Sequence, residues 1–384
     1  MKKVLFSFLT ALIASAGSLP MAAQEAYTVL TEPDSTLTFY YDTQRATRPG
    51  TAYDMPTAGY APAWTGTYTH PQEGILHAVF DASFADYRPT STRYWFQYCK
   101  KLQDIKDIRN LNTANVTDMR DMFYSCRSLT SLDLSSFNTE NVIDMSLMFA
   151  LCDSLASLNL SSFNTEKVTD MNSMFFYCSS LTTLDLSSFN TANVTDMHDM
   201  FMKCSSLASL DLTSFNTEKV TNMEDMFGFC SSLASLDLTS FNTANVTNMA
   251  FMFAGCESLA SLDLTGFNTA NVTDMFHMFA GCDSLTTIYC NDDWSVGGKV
   301  ENHSDMFSYC PNLKGDGAAY DSSKTGIEMA NPTTGYFTRK GSGIADVSAE
   351  RQAGNGRVYD LNGRQVGDSY QGIVIKDGHK VVQR

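Results

Sequence analysis

Positive charge is scarce in this sequence. Lysine and arginine number 26 against 42 aspartates and glutamates, a formal net charge of −16. A surface of that sign repels phosphate backbones and anionic headgroups, which argues against direct binding to nucleic acid or to an anionic membrane surface. Catalytic signatures are also missing. The six histidines, His70, His77, His198, His277, His303 and His379, form no H-E-x-x-H pattern. There is no G-x-S-x-G elbow, no C-x-x-C pair and no phosphate-binding glycine loop, so an enzyme is not the expected class. Beyond the first residues, no apolar run approaches the length of a membrane span. Charged residues make up only 18% of the chain and hydrophobic ones 43%, so a sizeable core is expected and disorder is not.

A repeat fills the space those absences leave. The stretch SLTSLDLSSFNTENVIDMSLMFALCD, Ser128 to Asp153, recurs with small changes. Phe123, Phe149, Phe175, Phe201, Phe227, Phe253 and Phe279 follow one another at 26-residue steps, and a cysteine keeps the same step from Cys126 to Cys282. A fixed period of this size is a solenoid signature. Each repeat holds two apolar patterns. L-x-x-L-D-L, as in Leu181, Leu184 and Leu186, alternates like a strand at its end. M-x-x-M-F-x-x-C, as in Met197, Met200, Phe201 and Cys204, matches one face of a short helix, with Thr195 and Asp196 placed to cap it. One repeat cannot bury these faces alone, so stacking is required. The expected fold is therefore α/β: a leucine-rich-repeat solenoid with a parallel sheet on one face and short helices on the other.

These repeats resemble those of the BspA-like leucine-rich-repeat bacterial surface proteins, over roughly residues 93–337. The resemblance implies a cell-surface or secreted protein concerned with adhesion and host contact. Its ligand class would be a protein on a host or neighbouring cell.

Four segments follow from the chain in order. Residues 1–23 read as a signal peptide, with Lys2 and Lys3 before the apolar stretch Val4 to Ala16 and small residues at Ala22 and Ala23. No cysteine follows for lipidation. Residues 24–92 read as a β-rich N-terminal cap, with strands in STLTFYYD and at Leu76 to Phe80, and turn punctuation at Pro49, Gly50, Pro56, Gly59, Pro62 and Gly66. Within it, Tyr60, Trp64 and Tyr68 would either pack the cap or line a carbohydrate site. Residues 93–340 are the solenoid, from a degenerate entry repeat at Phe96 and Cys99 to a C-terminal cap after Cys310. Residues 341–384 read as a small β segment, with hairpin signals at Asn362-Gly363 and Asp377-Gly378. That segment resembles the sorting domain of the type IX secretion system at Val358–Val366, Gly372–Ile375 and the basic terminus.

Disulfides are not expected among the seven equivalent cysteines. Packed helices lie roughly 8–10 Å apart, beyond the roughly 7 Å Cα reach of a disulfide. Buried free thiols are expected there and at Cys290, with Cys99 and Cys310 left open. The paired methionines read as adaptable packing. Tyr124, Phe176, Tyr177, Met202, Phe229 and Phe251 sit at outward positions, either packing between neighbours or forming an apolar ridge.

The candidate binding feature is a ladder. The residue between the last two leucines of the strand pattern is Asp133, Asn159, Asp185, Asp211, Asp237 and Asp263, and alternation points it outward. Neighbouring strands lie about 4.8 Å apart. Stacked carboxylates at that spacing should raise one another's pKa or attract cations. The strip Asp133, Asp185, Asp211, Asp237 and Asp263 could take a basic protein segment or calcium; alternatively aspartate there only bonds its hydroxyl neighbours. A second ladder, Asn138, Asn164, Asn190, Asn216, Asn242 and Asn268, is expected to satisfy backbone groups of adjacent coils. Two other functional classes stay open: a self-associating structural surface protein, and glycan binding by the N-terminal aromatics.

Overall fold

A computed structural model describes residues 23–57, 59–296 and 299–341, together with strands at 358–360, 365–366, 372–376 and 379–383. The expected leader, but for Ala23, lies outside the described residues, as do both hairpin turns of the C-terminal segment.

The N-terminal region builds a five-stranded sheet. β1 (Glu25–Thr31) and β2 (Thr36–Asp42) form an antiparallel hairpin, and β3 (Thr51–Asp54) joins the outer side of β1. β4 (His77–Phe80) then pairs in parallel with β2, and β5 (Asp104–Lys106) in parallel with β4. The change from antiparallel to parallel at β2/β4 gives the sheet the direction that stacked repeats need. Under it Phe39 stacks on Phe80 at 4.3 Å and on Trp95 at 5.6 Å, and meets Trp64 and Phe96 edge-on. Phe96 in turn stacks on Phe123, the first phenylalanine of the regular array. The degenerate entry repeat therefore joins the two cores without a break.

Three cross-coil systems stack the repeats. The first is aromatic. Phe96, Phe123, Phe149, Phe175, Phe201, Phe227, Phe253, Phe279 and Phe307 form one buried column with ring centroids 5.4–5.8 Å apart and planes within 3–9°. That separation is wide for parallel rings in direct contact and matches an offset stack, the arrangement aromatic pairs prefer.

The second system lies where short helices were expected, and it corrects that reading. Met197, Met200, Phe201 and Cys204 are all buried, as the spacing requires, but the segment is a run of overlapping turns. The Met200, Met202 and Cys204 amides donate to the carbonyls of Met197, Asp199 and Phe201 at 3.0–3.3 Å. The alternate amides, of Met197, Asp199, Phe201 and Lys203, donate to Asn222, Glu224, Met226 and Gly228 of the next coil at 2.7–3.1 Å. An α-helix would turn all of these amides back on its own coil. Asp199 and Lys203 instead adopt φ of 57° and 61°, the left-handed conformation required at the third residue of a type II turn. Every regular coil repeats the pair, and Gly255 and Gly281 occupy the Lys203 position in two of them. An eight-residue helix gains little by itself, whereas the turn run bonds each coil to its neighbour. Among the described residues the helical turns are short 3-10 segments at Arg45–Thr47, Ala82–Asp86, Ile108–Asn110 and Ile327–Met329.

The third system is a threonine ladder. Thr191 Oγ1 donates to the Asn216 carbonyl at 2.9 Å and accepts the Asn216 amide at 2.8 Å. The same pair of bonds recurs from Thr113 through Thr243. The asparagines were expected to link coils, but their side chains turn inward on their own loop: Asn190 Oδ1 accepts the Ala192 amide. The link is made by the neighbouring threonine, which is buried.

All ten cysteines are free and buried. The distance argument for that outcome does not hold, because the coils sit at strand-like spacing. The thiols have another use: Cys204 Sγ donates to the Phe175 carbonyl at 3.2 Å, and the same bond recurs from Cys126 to Cys310. Burial pushes their thiol pKa values upward, so the reactive thiolate is suppressed.

The array ends at β8 (Ser261–Asp263), β9 (Thr287–Tyr289) and β10 (Phe337–Thr338), paired in parallel. Trp294 and Tyr336 pack edge-on against Phe337 and Phe307 and close the core. Near the start of the array, β6 (Ser131–Asp133) pairs in parallel with β7 (Ser157–Asn159). The C-terminal segment forms its own antiparallel sheet. β11 (Val358–Asp360) pairs with β12 (Gln365–Val366) and β13 (Gly372–Lys376), and β13 pairs with β14 (His379–Gln383). Both expected hairpin pairings are present.

Two outcomes follow. Thr191→Val keeps the side-chain shape but strands the Asn216 amide and carbonyl, and should cost about 1–3 kcal/mol; Thr191→Ser should cost much less. Urea unfolding of the two variants separates them, and equal losses would show that the hydroxyl bonds contribute nothing. In a thiol titration, the folded chain should leave its ten cysteines largely unreactive, and denaturant should release all ten.

Candidate functional site

The strand pattern places its central residue on the surface, as alternation predicts. Asp133, Asp185, Asp211 and Asp237 are exposed and Asp263 is partly covered. Small hydroxyl residues flank them. The local reason for aspartate is a turn. Asp185 Oδ1 accepts the Ser187 amide at 3.0 Å; Asp211 and Asp237 accept both the amide and the hydroxyl of Thr213 and Thr239 at 2.7–3.0 Å. Asn159 does the same for the Ser161 amide and donates to Asp133 Oδ1 at 3.0 Å.

These bonds reverse the expected pKa shift. Donation from the Ser187, Thr213 and Thr239 amides holds Asp185, Asp211 and Asp237 below the ordinary carboxylate value, outweighing their mutual repulsion. At Asp263 burial pushes upward but is outweighed by the Lys340 ammonium and Thr265. The strip is therefore fully charged at neutral pH. Lys340 forms an ion pair with Asp263 and so seats a cation on the C-terminal end of the strip. It lies 77 residues from Asp263 in sequence, and no spacing rule connects the two. Among the described residues no group of three or more His, Cys, Asp or Glu side chains is gathered to hold a metal ion.

The other candidates separate. Trp64 is fully buried and its Nε1 donates to the Trp95 carbonyl at 2.8 Å, whereas Tyr60 and Tyr68 are 71% and 80% exposed. The three aromatics do not line one site. His198 bonds Asp196 at 2.8 Å, and His277 packs on Phe276 with ring centroids 4.0 Å apart. Of the outward residues, Tyr124, Phe176, Tyr177, Met202 and Phe251 are half-buried between coils, while Phe229 is exposed. Lys203 lies over the Tyr177 and Phe229 rings at 5.0 and 5.7 Å.

Sequence reading missed a charge cluster on the turn face. Asp225 Oδ1 is buried with no partner. Burial first, then the charges of Asp199 and Glu224, raise the Asp225 pKa to about 7, against opposing pulls from Lys203 and His198. The signal was available: Asp199 and Asp225 occupy the same repeat position in adjacent coils.

Comparison with known proteins places the repeats. A family model described as "Mycoplasma protein of unknown function, DUF285" matches residues 90–210 and 201–320. The chain belongs to this family. No curated protein matches it. Similar solved structures include a leucine-rich repeat protein from Bacteroides ovatus ATCC 8483, 17% identical, covering 76% of this chain and 92% of that one with a TM-score of 0.27. Another is a leucine-rich repeat protein from Eubacterium ventriosum ATCC 27560, 12% identical, covering 62% and 88% with a TM-score of 0.23. No helix among the described residues of this DUF285 chain is long and apolar enough to cross a membrane.

The turn-face cluster gives a pH prediction. Asp225 binds its proton more tightly folded than unfolded, so folding takes up a proton between the ordinary value of 3.8 and about 7. Stability should fall as pH rises through that window. Asp225→Asn should raise the melting temperature at pH 8 and leave it nearly unchanged at pH 4. A thermal series across pH reads this directly, and an equal shift at both pH values would assign the effect to packing instead.

Proposed function

We propose that this chain is an exported, repeat-built surface protein of the BspA-like kind, whose acidic strip docks a basic segment of a protein on a host or neighbouring cell. One observation carries the proposal: five carboxylates in one column, four of them exposed and Asp263 partly covered, each accepting the amide of its own turn and flanked by small hydroxyl side chains. Charge complementarity on such a strip favours rapid capture, and its repetition along the column favours multivalent binding. The Lys340–Asp263 ion pair, within the chain, is consistent with such a contact. The leader-like sequence at 1–23 and the sorting-like segment at 341–384 support this reading of export to the cell surface.

Binding of the intact chain to a panel of extracellular-matrix and mucosal proteins, and to a lysine-rich peptide, tests this. Changing Asp185, Asp211 and Asp237 together to Asn keeps the turn-capping oxygen and removes the charge. The variant should bind about tenfold or more weakly, and binding by the unaltered chain should weaken as salt is raised. Retained binding would move the contact to the caps or to the ridge around Phe229. Binding to nothing, with self-association in light scattering, would favour the structural reading.

A further inference from the structure

The turn face, unlike the sheet face, varies from coil to coil, and one of its columns is interrupted. The second residue of positive φ in each coil forms a column running from Tyr98 to Tyr309. Leu151, Tyr177, Lys203, Phe229 and Tyr309 hold φ of 56–61° there, so the backbone conformation alone does not demand glycine. Two neighbouring rungs are nevertheless glycine, Gly255 and Gly281, and their surroundings differ. A Cβ on Gly255 would come within 2.6 Å of the Phe229 ring, which therefore rests against that glycine. Among the described residues, a Cβ on Gly281 would meet only Gly255, at an ordinary 3.7 Å. A ring covers the first glycine; the rung at the second is bare.

Aromatic rings wall the bare rung. On one side Phe229, 43% exposed, leans over Gly255; on the other stands Tyr309, 76% exposed. Coils at strand-like spacing are about 4.8 Å apart, so the two rings stand two steps, roughly 10 Å, from each other with Gly281 midway. The same column shows what such a gap takes. Tyr177 and Phe229 belong to coils two steps apart, and Lys203 on the coil between them places Nζ 5.0 Å from the first ring and 5.7 Å from the second. Both distances lie within the roughly 6 Å reach of a cation–π contact. The order along the column is therefore ring, cation, ring, and then an unfilled place before the last ring. The surroundings suit a cation. Glu257 and Asp283 follow Gly255 and Gly281 by two residues and are exposed. The basic side chains nearest in sequence are placed elsewhere: Lys299 bonds Asn271, Lys324 pairs with Asp321 at 4.0 Å, and Lys314 lies on the sheet side, its amide bonded to Thr286.

We propose that this rung is a binding site for one lysine or arginine side chain of a partner protein, seated over Gly281 between the rings of Phe229 and Tyr309. The guest repeats the place of Lys203 between Tyr177 and Phe229, and the Glu257 and Asp283 carboxylates add to the attraction. The site lies on a different face from the acidic strip and does not rest on the function proposed for that strip.

Amide NMR of the intact chain tests this with a short glycine–serine peptide carrying one lysine, and with the same peptide carrying norleucine instead. The lysine peptide should shift the Gly281 and Tyr309 amides, and the norleucine peptide should not. Tyr309 is exposed, so Tyr309→Ala should keep the fold and weaken the lysine peptide about fivefold or more, read at the Gly281 amide. Gly281→Lys should fill the rung from within and abolish the Tyr309 response; Lys203 already holds the left-handed conformation of this column. Changing Asp185, Asp211 and Asp237 to Asn should leave the Gly281 response unaltered. Shifts confined to the amides of the strip would overturn this site and leave the function proposed for the strip standing. Equal shifts with norleucine would show an apolar contact and overturn the cation, and a Tyr309 response that survives Gly281→Lys would overturn the seat over Gly281.

Discussion

The alternate amides of the turn segment, each donating to a carbonyl of the next coil, are the constraint on which the rest of this molecule depends. They fix the coil-to-coil distance and register. Once both are set at a constant 26 residues, every side chain meets its own counterpart one coil on. Phenylalanine stacks on phenylalanine, threonine reaches the same asparagine backbone, and cysteine reaches the same carbonyl. The left-handed residues, such as Asp199 and Lys203, cost of order 1–2 kcal/mol each in local conformation. They are tolerated because each turns an amide outward to a partner that an α-helix would deny it.

That register makes the side-chain ladders cooperative. A buried threonine bonding both the amide and the carbonyl of Asn216 stands in for a stretch of strand pairing where the chain turns a corner. The cysteine column occupies carbonyl oxygens already accepting a turn amide: the Phe201 carbonyl takes both Cys204 N and Cys230 Sγ. A small side chain with a weak donor suits that crowded position. The thiols therefore stay free for a packing reason, although neighbouring coils are close enough to bring them near one another.

Much of this was legible from the period. The stacking, the buried Met, Phe and Cys positions, the outward aspartates and the two C-terminal hairpin pairings all follow from spacing that does not depend on the local backbone. The helices were misread because offsets of three, four and seven bury the same side chains in a run of turns as in a helix. Periodicity reports which residues face inward; it does not report where the amides go. Gly255 and Gly281, recurring at one position four residues past another left-handed one, were the cue. The pKa direction was misjudged for a related reason. Repulsion between coils can be read from the repeat, but an amide two residues downstream, capping each carboxylate, becomes evident only once the turn is known. Lys340 on Asp263 belongs to neither pattern and needed the three-dimensional structure.

The acidic column shows where folding requirements stop. Each strand must end in a turn whose amide is bonded by the preceding side-chain oxygen, and Asn159 satisfies that as well as aspartate does. Asparagine carries no charge and donates to Asp133 besides. Five of the six positions nevertheless carry aspartate. The turn would therefore be served equally by the neutral residue. Under the proposed function, a charge that the turn does not need, held ionised on an exposed face, has its consequence outside the fold, in what that face attracts.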